Sequence, residues 1–239
     1  MNKYLRKNPT LESRTSVFNV KESRVSAVNN VATAFAPRRI YKRSLDVAAS
    51  CVTIVLLSPV LASVAIMVKI CDGGPVFFRH RRIGFGGQTF ECLKFRTMKI
   101  DAELRLQEWL VKNPVAAEEW SATQKLKNDP RLTPIGKSLR RSSLDELPQL
   151  FNILRGDMSL VGPRPVVAEE VPRYGREIAH YYSVRPGLTG AWQVSGRNDV
   201  SYAERVRLDT EYCTTWSFTK DLAIMLKTVP VLFSGRGSY

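Results

Sequence analysis

The chain has 239 residues, of which 44% are hydrophobic, and this is enough to bury one sizeable core in a single compact domain with appendages. It carries 36 Lys and Arg residues against 22 Asp and Glu residues, and its formal charge of +14 indicates anionic partners. No helix-turn-helix, zinc-finger or aromatic RNA-binding pattern occurs, so the composition argues against nucleic acid and favours anionic lipid headgroups and nucleotide diphosphates.

The first 37 residues are rich in Ser, Asn, Thr and Lys, and they contain neither a sustained apolar period nor the apolar run of a secretory signal. We interpret residues 1–37 as a disordered basic N-terminal tail. A solvated tail is the simpler reading of this composition, and contact of its basic residues with a membrane surface is the alternative.

An apolar segment of 22 residues without a charge lies between Asp46 and Lys69. As a straight helix it would be about 33 Å long, which is enough to cross the core of a bilayer. Ser58 and Pro59 stand at its midpoint, where proline removes a backbone hydrogen bond and the serine hydroxyl can bond the freed carbonyl. Basic residues flank both ends, and such residues mark the cytoplasmic side. We therefore predict a re-entrant helix-break-helix membrane hairpin over residues 38–71, with a buried helix of a soluble domain as the alternative.

Residues 72–239 read as one polar domain with mixed secondary structure. Short apolar runs around the glycines at 84–87 predict a β-hairpin whose second strand carries Lys94. Proline and glycine positions then separate two amphipathic helices at 101–110 and 116–126, a short basic helix ending near Arg141, and a further helix to about Tyr182. The last apolar period, 222–233, is too short to span a bilayer and predicts an interfacial C-terminal helix. The fold class is therefore α+β, a mostly helical monotopic membrane protein.

Two adjacent carboxylates, Asp145 and Glu146, lie between clusters of arginine. Ser143 followed three residues later by Glu146 is a capping-box pattern, which predicts both acids in the first turn of a helix. Pro148 indicates that the regular helix begins nearer Leu147. With either boundary the helix dipole would favour the ionised carboxylates.

The neighbouring cations favour phosphate chemistry over a merely structural helix cap. Arg140 and Arg141 precede the acids, and Arg164 follows them between two prolines that restrict its backbone to an extended form. Carboxylates can hold a divalent ion or attack phosphorus, while guanidinium groups neutralise phosphate oxygens. Four cysteines without regular spacing and only two histidines indicate reduced thiols in a cytosolic compartment, and they favour Mg²⁺ on oxygen ligands over zinc.

The run SLDELPQL at 143–150, followed by GDMS at 156–159 and VGPRP at 161–165, resembles the bacterial sugar transferases, the monotopic polyprenol-phosphate phosphoglycosyl transferases. The resemblance extends from about Lys42 to Tyr239 and implies the same re-entrant membrane helix. Within the family, the motifs at 195–202 and 236–239 are most similar to the priming galactose-phosphate transferases of succinoglycan-type exopolysaccharide synthesis.

The resemblance implies a transfer of hexose-1-phosphate from a UDP-sugar to undecaprenyl phosphate with release of UMP, at the cytoplasmic face of the bacterial inner membrane. It implies that Asp145 is the nucleophile, that Glu146 helps to hold Mg²⁺, and that the substrate phosphates are bound by cationic residues, namely Lys94, Arg140, Arg164, Arg185 and Arg197. UDP-galactose is the expected donor, with UDP-glucose or another UDP-sugar as the alternative.

Two other classes of function were weighed against this one. A two-carboxylate glycosidase needs acids about 5 to 9.5 Å apart across the sugar, which adjacent residues on one turn do not naturally give. A non-catalytic lipid-binding scaffold would explain the charge and the anchor but would leave the acid pair and its arginines without a role. The sequence leaves open whether a second copy of the chain, or another polysaccharide-assembly protein, is a partner in addition to the inner-membrane lipids.

Overall fold

The computed structural model describes residues 36–123, 126–196 and 200–234. Nearly all of the predicted basic tail lies outside these ranges, as do Arg197 and the C-terminal motif at 236–239. The α+β class is confirmed, because helices dominate and the strands form two small sheets. The helices are α1 (Ala36–Asp72), α2 (Ala102–Lys112), α3 (Pro114–Thr123), α4 (Pro134–Ser142), α5 (Gln149–Arg155), α6 (Val171–Tyr174), α7 (Ile178–Tyr182), α8 (Ala191–Val194), α9 (Tyr202–Thr214) and α10 (Phe218–Ser234), and the strands are β1 (Phe77–Ile83), β2 (Thr89–Phe95), β3 (Ser159–Val161) and β4 (Gly187–Thr189).

Helix α1 is assigned without interruption through the predicted break at Ser58 and Pro59. Proline has no amide hydrogen, so Pro59 leaves the carbonyl of Val55 without its helical donor. The Ser58 hydroxyl donates a 2.8 Å hydrogen bond to that carbonyl, as the sequence predicts. The break is therefore a local loss of one backbone hydrogen bond within one helix, and the re-entrant path of the segment remains a prediction.

One stripe of α1 packs along the body of the protein, and its other faces are exposed. Ile54 lies against the core around Leu150, while Val64 and Val68 pack against Leu139 of α4. The segment Ile40–Asp72 is long and apolar enough to cross a membrane, yet only 11% of its most apolar 18-residue window is buried. A core helix of a soluble domain would be mostly buried, so the exposure argues against that alternative. The exposed apolar side chains include Val52, Val55, Leu56, Val60, Ile66, Met67 and Ile70.

Two basic side chains near the start of α1 connect it to the rest of the fold. The ammonium group of Lys42 lies 2.5 Å from the carboxylate of Asp221, which is 2% exposed on α10. Arg43 donates hydrogen bonds of 2.5 and 3.0 Å to the last carbonyls of α5, those of Ile153 and Leu154. A cation at a helix C-terminus satisfies carbonyls that have no intrahelical donor. The apolar helix is therefore fixed directly to the helix that follows the two acids.

The predicted hairpin is confirmed. The two helices predicted at 101–110 and 116–126 form as α2 and α3, and the second begins earlier than predicted, at Pro114. Strands β1 and β2 pair antiparallel, and Asn152 of α5 joins this hairpin to the core because its side chain bonds the Leu93 amide and the Glu91 carbonyl. The predicted helix up to Tyr182 is wrong as a single helix. It forms as α6 and α7, separated at Gly175, whose φ of +53° is incompatible with a continuing helix.

The parallel pairing of β3 with β4 was not predicted, because three-residue strands leave no alternating pattern to recognise. A Cβ atom at Gly187 would lie 2.1 Å from the amide nitrogen of Gly162, so only glycine permits this approach. The pairing brings the Pro163–Pro165 loop beside Gly187 and Leu188.

Helix α10 completes this side of the fold. Its residue Ile224 is buried, and its exposed apolar stripe is what we expect for an interfacial helix; the stripe consists of Phe218, Leu222, Leu226 and Val229.

Candidate active site

The two acids lie on a 3₁₀ turn, Leu144–Glu146, between α4 and α5. The predicted capping box is wrong. Ser143 has a φ of +57°, its amide donates to Arg140 as the C-cap of α4, and its side chain makes no capping hydrogen bond. An N-cap serine needs an extended backbone, which this left-handed conformation excludes. The later boundary inferred from Pro148 is closer to the structure, since α5 begins at Gln149.

The carboxylate of Asp145 is only 7% exposed. Burial raises the pKa of Asp145 to about 6, and the positive charges of Lys94 and Arg140 partly oppose that rise. The expectation that a helix dipole controls this group is therefore corrected, because desolvation outweighs it. Among the described residues the Asp145 carboxylate has no ion-pair partner within 4 Å. With a pKa of about 6 it is mostly ionised at pH 7, without a direct salt bridge in the part of the chain that the structure describes.

Glu146 differs from its neighbour because it has a direct partner. The Lys94 ammonium donates a 2.6 Å hydrogen bond to a Glu146 carboxylate oxygen, and both side chains are about a quarter exposed. Lys94 comes from strand β2, so the hairpin provides the cation and the 3₁₀ turn provides the acid. The structure thus brings together two residues that are 52 positions apart in the sequence.

A cleft opens beside this ion pair. Its lining includes three predicted residues, Lys94, Glu146 and Arg164, while Asp145 lies next to the cleft rather than in its wall. The lining residues are Arg82, Cys92, Lys94, Glu146, Gln149, Arg164, Pro165, Gly187, Leu188 and Gln193.

The other predicted arginines are placed differently. Arg140 donates a hydrogen bond of 3.0 Å to the Thr97 hydroxyl, and its charge acts on Asp145 from outside the cleft. Arg185 does not line the cleft, and its Nε donates to the carbonyl of Gly156 at the end of α5. Arg197 lies outside the described residues, so its role stays a prediction.

Sequence reasoning missed Arg82, Gln149 and Gln193 as parts of the cleft. Arg82 could have been found from strand alternation. In the observed register Arg82 lies on the same face of the hairpin as Cys92 and Lys94, and this face forms one wall of the cleft. The two glutamines lie on different helices and are more than 40 positions apart in the sequence, and no local pattern places them together.

The acid pair is compatible with Mg²⁺ only if the substrate completes the site. No cluster of three or more Asp, Glu, His or Cys side chains suited to a metal ion occurs among the described residues. Mg²⁺ is commonly bound by one or two carboxylates together with substrate phosphates and water, and Glu146 in the cleft wall provides one such carboxylate. The donor set therefore fits a metal that arrives with a diphosphate.

Comparison with known proteins gives a consistent result. The family model for bacterial sugar transferases matches residues 37–235. Exopolysaccharide production protein ExoY of Rhizobium meliloti (strain 1021) is 56% identical over 198 residues, covering 83% of this chain and 88% of that protein. Undecaprenyl-phosphate galactose phosphotransferase of Salmonella typhimurium is 46% identical over 202 residues, covering 84% of this chain and 42% of that protein. UDP-glucose:undecaprenyl-phosphate glucose-1-phosphate transferase of Caulobacter vibrioides is 41% identical over 206 residues, covering 83% of this chain and 72% of that protein.

The burial of Asp145 predicts a pH-dependent stability effect. The pKa of Asp145 is about 6 in the folded protein, against 3.8 for an Asp side chain that is not buried. The folded state is therefore stabilised at low pH, and this stabilisation is lost as the pH rises through 6. Asp145→Asn should therefore raise the free energy of unfolding at pH 8 by roughly 2 to 3 kcal/mol. The gain should shrink towards zero at pH 4.

Thermal unfolding in detergent at both pH values measures this effect. The matched control is Glu108→Gln on the exposed face of α2, which should change stability little at either pH. An equal gain for Asp145→Asn at pH 4 and pH 8 would contradict the role given to desolvation.

Proposed function

Because the chain belongs to the bacterial sugar transferase family, we propose that it transfers a hexose-1-phosphate from a UDP-sugar to undecaprenyl phosphate and releases UMP. The observation that carries this proposal is a buried Asp145 that has no salt-bridge partner among the described residues and lies beside a cleft lined by arginine and lysine. Such a carboxylate can act as a nucleophile, and the surrounding cations offset the repulsion between it and an anionic diphosphate.

In the proposed reaction an oxygen of Asp145 attacks the phosphorus that bears the sugar. The new bond joins Asp145 to that phosphorus, the bond to the bridging oxygen breaks, and UMP leaves with that oxygen. An oxygen of undecaprenyl phosphate then attacks the same phosphorus, forms the lipid diphosphate sugar and frees Asp145. Lys94 and Arg164 face the cleft, where their charges would neutralise the phosphate oxygens in both steps.

We propose that Mg²⁺ is held by Glu146 together with the substrate diphosphate, next to Asp145. When bound, the ion would withdraw charge from the diphosphate oxygens. Lys94 donates a 2.6 Å hydrogen bond to one oxygen of Glu146, so the ammonium group would share this carboxylate with the ion.

The first step of exopolysaccharide synthesis is the biological setting that the relatives favour. Galactose is the proposed sugar, since the Salmonella relative is named for galactose and is 46% identical, against 41% for the Caulobacter relative named for glucose. The two hexoses differ in the orientation of one hydroxyl, and Gln193 in the cleft wall offers an amide that could distinguish such a group.

We also propose that α1 lies in the inner membrane and that the body faces the cytoplasm. The exposed apolar faces of α1 and the stripe on α10 would contact lipid, and the positive charge of the body would face anionic headgroups. This places a soluble nucleotide sugar and a lipid phosphate at the same surface.

Asp145→Asn should abolish sugar-phosphate transfer, because an amide is a far weaker nucleophile than a carboxylate. In the wild type, activity should rise with pH through about 6 as Asp145 ionises. UMP release at pH 5, 6, 7 and 8 measures both effects, with Glu108→Gln as the control. An active Asn variant would remove Asp145 from the role of nucleophile.

A panel of UDP-sugars with undecaprenyl phosphate identifies the donor. We expect UDP-galactose to give the highest kcat/KM for UMP release, with UDP-glucose lower. Without lipid, a radiolabelled sugar phosphate should remain attached to the protein. The two-step mechanism is excluded if UMP fails to exchange into the UDP-sugar under the same conditions.

The re-entrant path predicts that both ends of α1 face the cytoplasm. Cys71, which is exposed two residues after Lys69, serves as a reporter once the other three cysteines are replaced by serine. A membrane-impermeant thiol reagent should label Cys71 in inside-out vesicles and not in intact cells. Labelling in intact cells would mean that the helix crosses the membrane.

A further inference from the structure

Two arginines in the cleft wall, Arg82 and Arg164, carry like charges into a confined space. The side chain of Arg82 is 12% exposed, and burial, with a further contribution from Arg164, lowers its pKa. Two guanidinium groups that repel each other need fixed supports to keep a defined geometry. The supports of both lie behind the cleft.

Glu170 is the counter-ion of Arg82, whose guanidinium also donates a 3.2 Å hydrogen bond to the Pro165 carbonyl. One of its carboxylate oxygens lies 3.8 Å from Arg82 and accepts a 3.0 Å hydrogen bond from the Val167 amide, which fixes its orientation. The other oxygen lies 3.5 Å from Arg205 of α9. Glu170 is therefore a counter-ion shared by one arginine in the cleft wall and one behind it.

The ring of Trp192 is the support of Arg164. The ring is 6% exposed, and the Arg164 guanidinium carbon lies 5.5 Å from its centroid. The guanidinium carbon of Arg205 lies 5.0 Å from the same ring. Both distances are within the range in which a cation is attracted to an aromatic face. Arg205 therefore touches the supports of both cleft arginines.

Arg205 is itself held in place but is not fully satisfied. Its Nε lies 4.0 Å from Asp209, which is 1% exposed and accepts a 2.8 Å hydrogen bond from the Tyr174 hydroxyl. Within the described ranges, two nitrogens of Arg205 are buried and have no hydrogen-bond partner. Burying a guanidinium in this way is unfavourable, so its placement is not explained by local stability.

We propose that Arg205 is a positioning residue that, through Glu170 and the Trp192 ring, sets Arg82 and Arg164 in the geometry that binds the diphosphate of the UDP-sugar. Arg205 does not line the cleft and does not touch the reacting atoms. The identity of the ligand rests on the proposed function. The network holds three guanidinium groups against two carboxylates, Glu170 and Asp209, so an anionic ligand in the cleft would offset the remaining charge.

Arg205→Met should lower kcat/KM for the UDP-sugar by about tenfold to a hundredfold, mainly through a higher KM, because charged hydrogen bonds to the phosphates are misplaced. Arg205→Lys keeps the charge but loses the planar fork, and it should recover only part of the loss. The matched control is Arg207→Met, two residues further along α9, whose side chain is 59% exposed and pairs with Glu204 and Glu211. It should behave as the wild type.

Double-mutant cycles separate positioning from a structural role. If Arg205 acts through Arg82 and Arg164, its replacement should cost at most about threefold once both are changed to methionine. The proposal would be overturned if replacing Arg205 lowered kcat/KM equally in the wild type and in the variant with methionine at both cleft arginines. A wild-type KM in Arg205→Met would also overturn it. If Arg205→Met does not fold, the cycle is run with Arg205→Lys.

Binding of UDP, measured by calorimetry without lipid or turnover, separates this proposal from the function itself. Weaker UDP binding by Arg205→Met, with unchanged binding by Arg207→Met, supports the network even if no sugar is transferred. Transfer by the wild type with equal UDP binding in all three proteins would overturn the network and leave the proposed function intact.

Discussion

The desolvation of one carboxylate is the constraint on which the site depends. Asp145 is kept out of water at a turn that the local sequence does not favour energetically, since Ser143 must adopt a positive φ to end α4 there. The cost of burying the charge is reduced by Lys94 and Arg140, which act from a strand and from a helix. An ionised group in such a place is poorly solvated and close to cations. These are properties of a nucleophile directed at phosphorus.

The scaffold positions the cations around this group from several elements. One face of the β1–β2 hairpin presents Arg82, Cys92 and Lys94, and the parallel β3–β4 pair brings in Arg164. The β3–β4 approach requires glycine at 162 and 187, where any side chain would overlap the backbone of the facing strand. The cleft is thus built from rigid elements on two sides, and the loop between the prolines is held by backbone pairing.

The apolar helix is connected to the turn that carries Asp145 and Glu146. Arg43 caps the C-terminus of α5, and the N-terminus of α5 follows Asp145 and Glu146 directly. Asn152 in the middle of α5 bonds the backbone of β2, the strand that carries Lys94. Helix α5 therefore contacts the apolar helix at one end and fixes the acid pair and Lys94 near its other end. In the proposed reaction this would hold the nucleophile at a constant distance from the lipid phosphate.

Local patterns were sufficient for the apolar helix, the hairpin and the paired helices after it, because the hydrophobic period and the positions of glycine and proline act over a few residues. The same patterns gave wrong predictions at two places. Ser143 ends α4 in a left-handed conformation instead of forming a capping box, and the predicted single helix up to Tyr182 forms as two short helices. Only the tertiary structure decided that Asp145 is buried while Glu146 pairs with Lys94. It also decided that Arg185 bonds the end of a helix and that Arg82 and Gln193 line the cleft. Those outcomes depend on desolvation and on contacts between distant elements, which no short stretch of sequence contains.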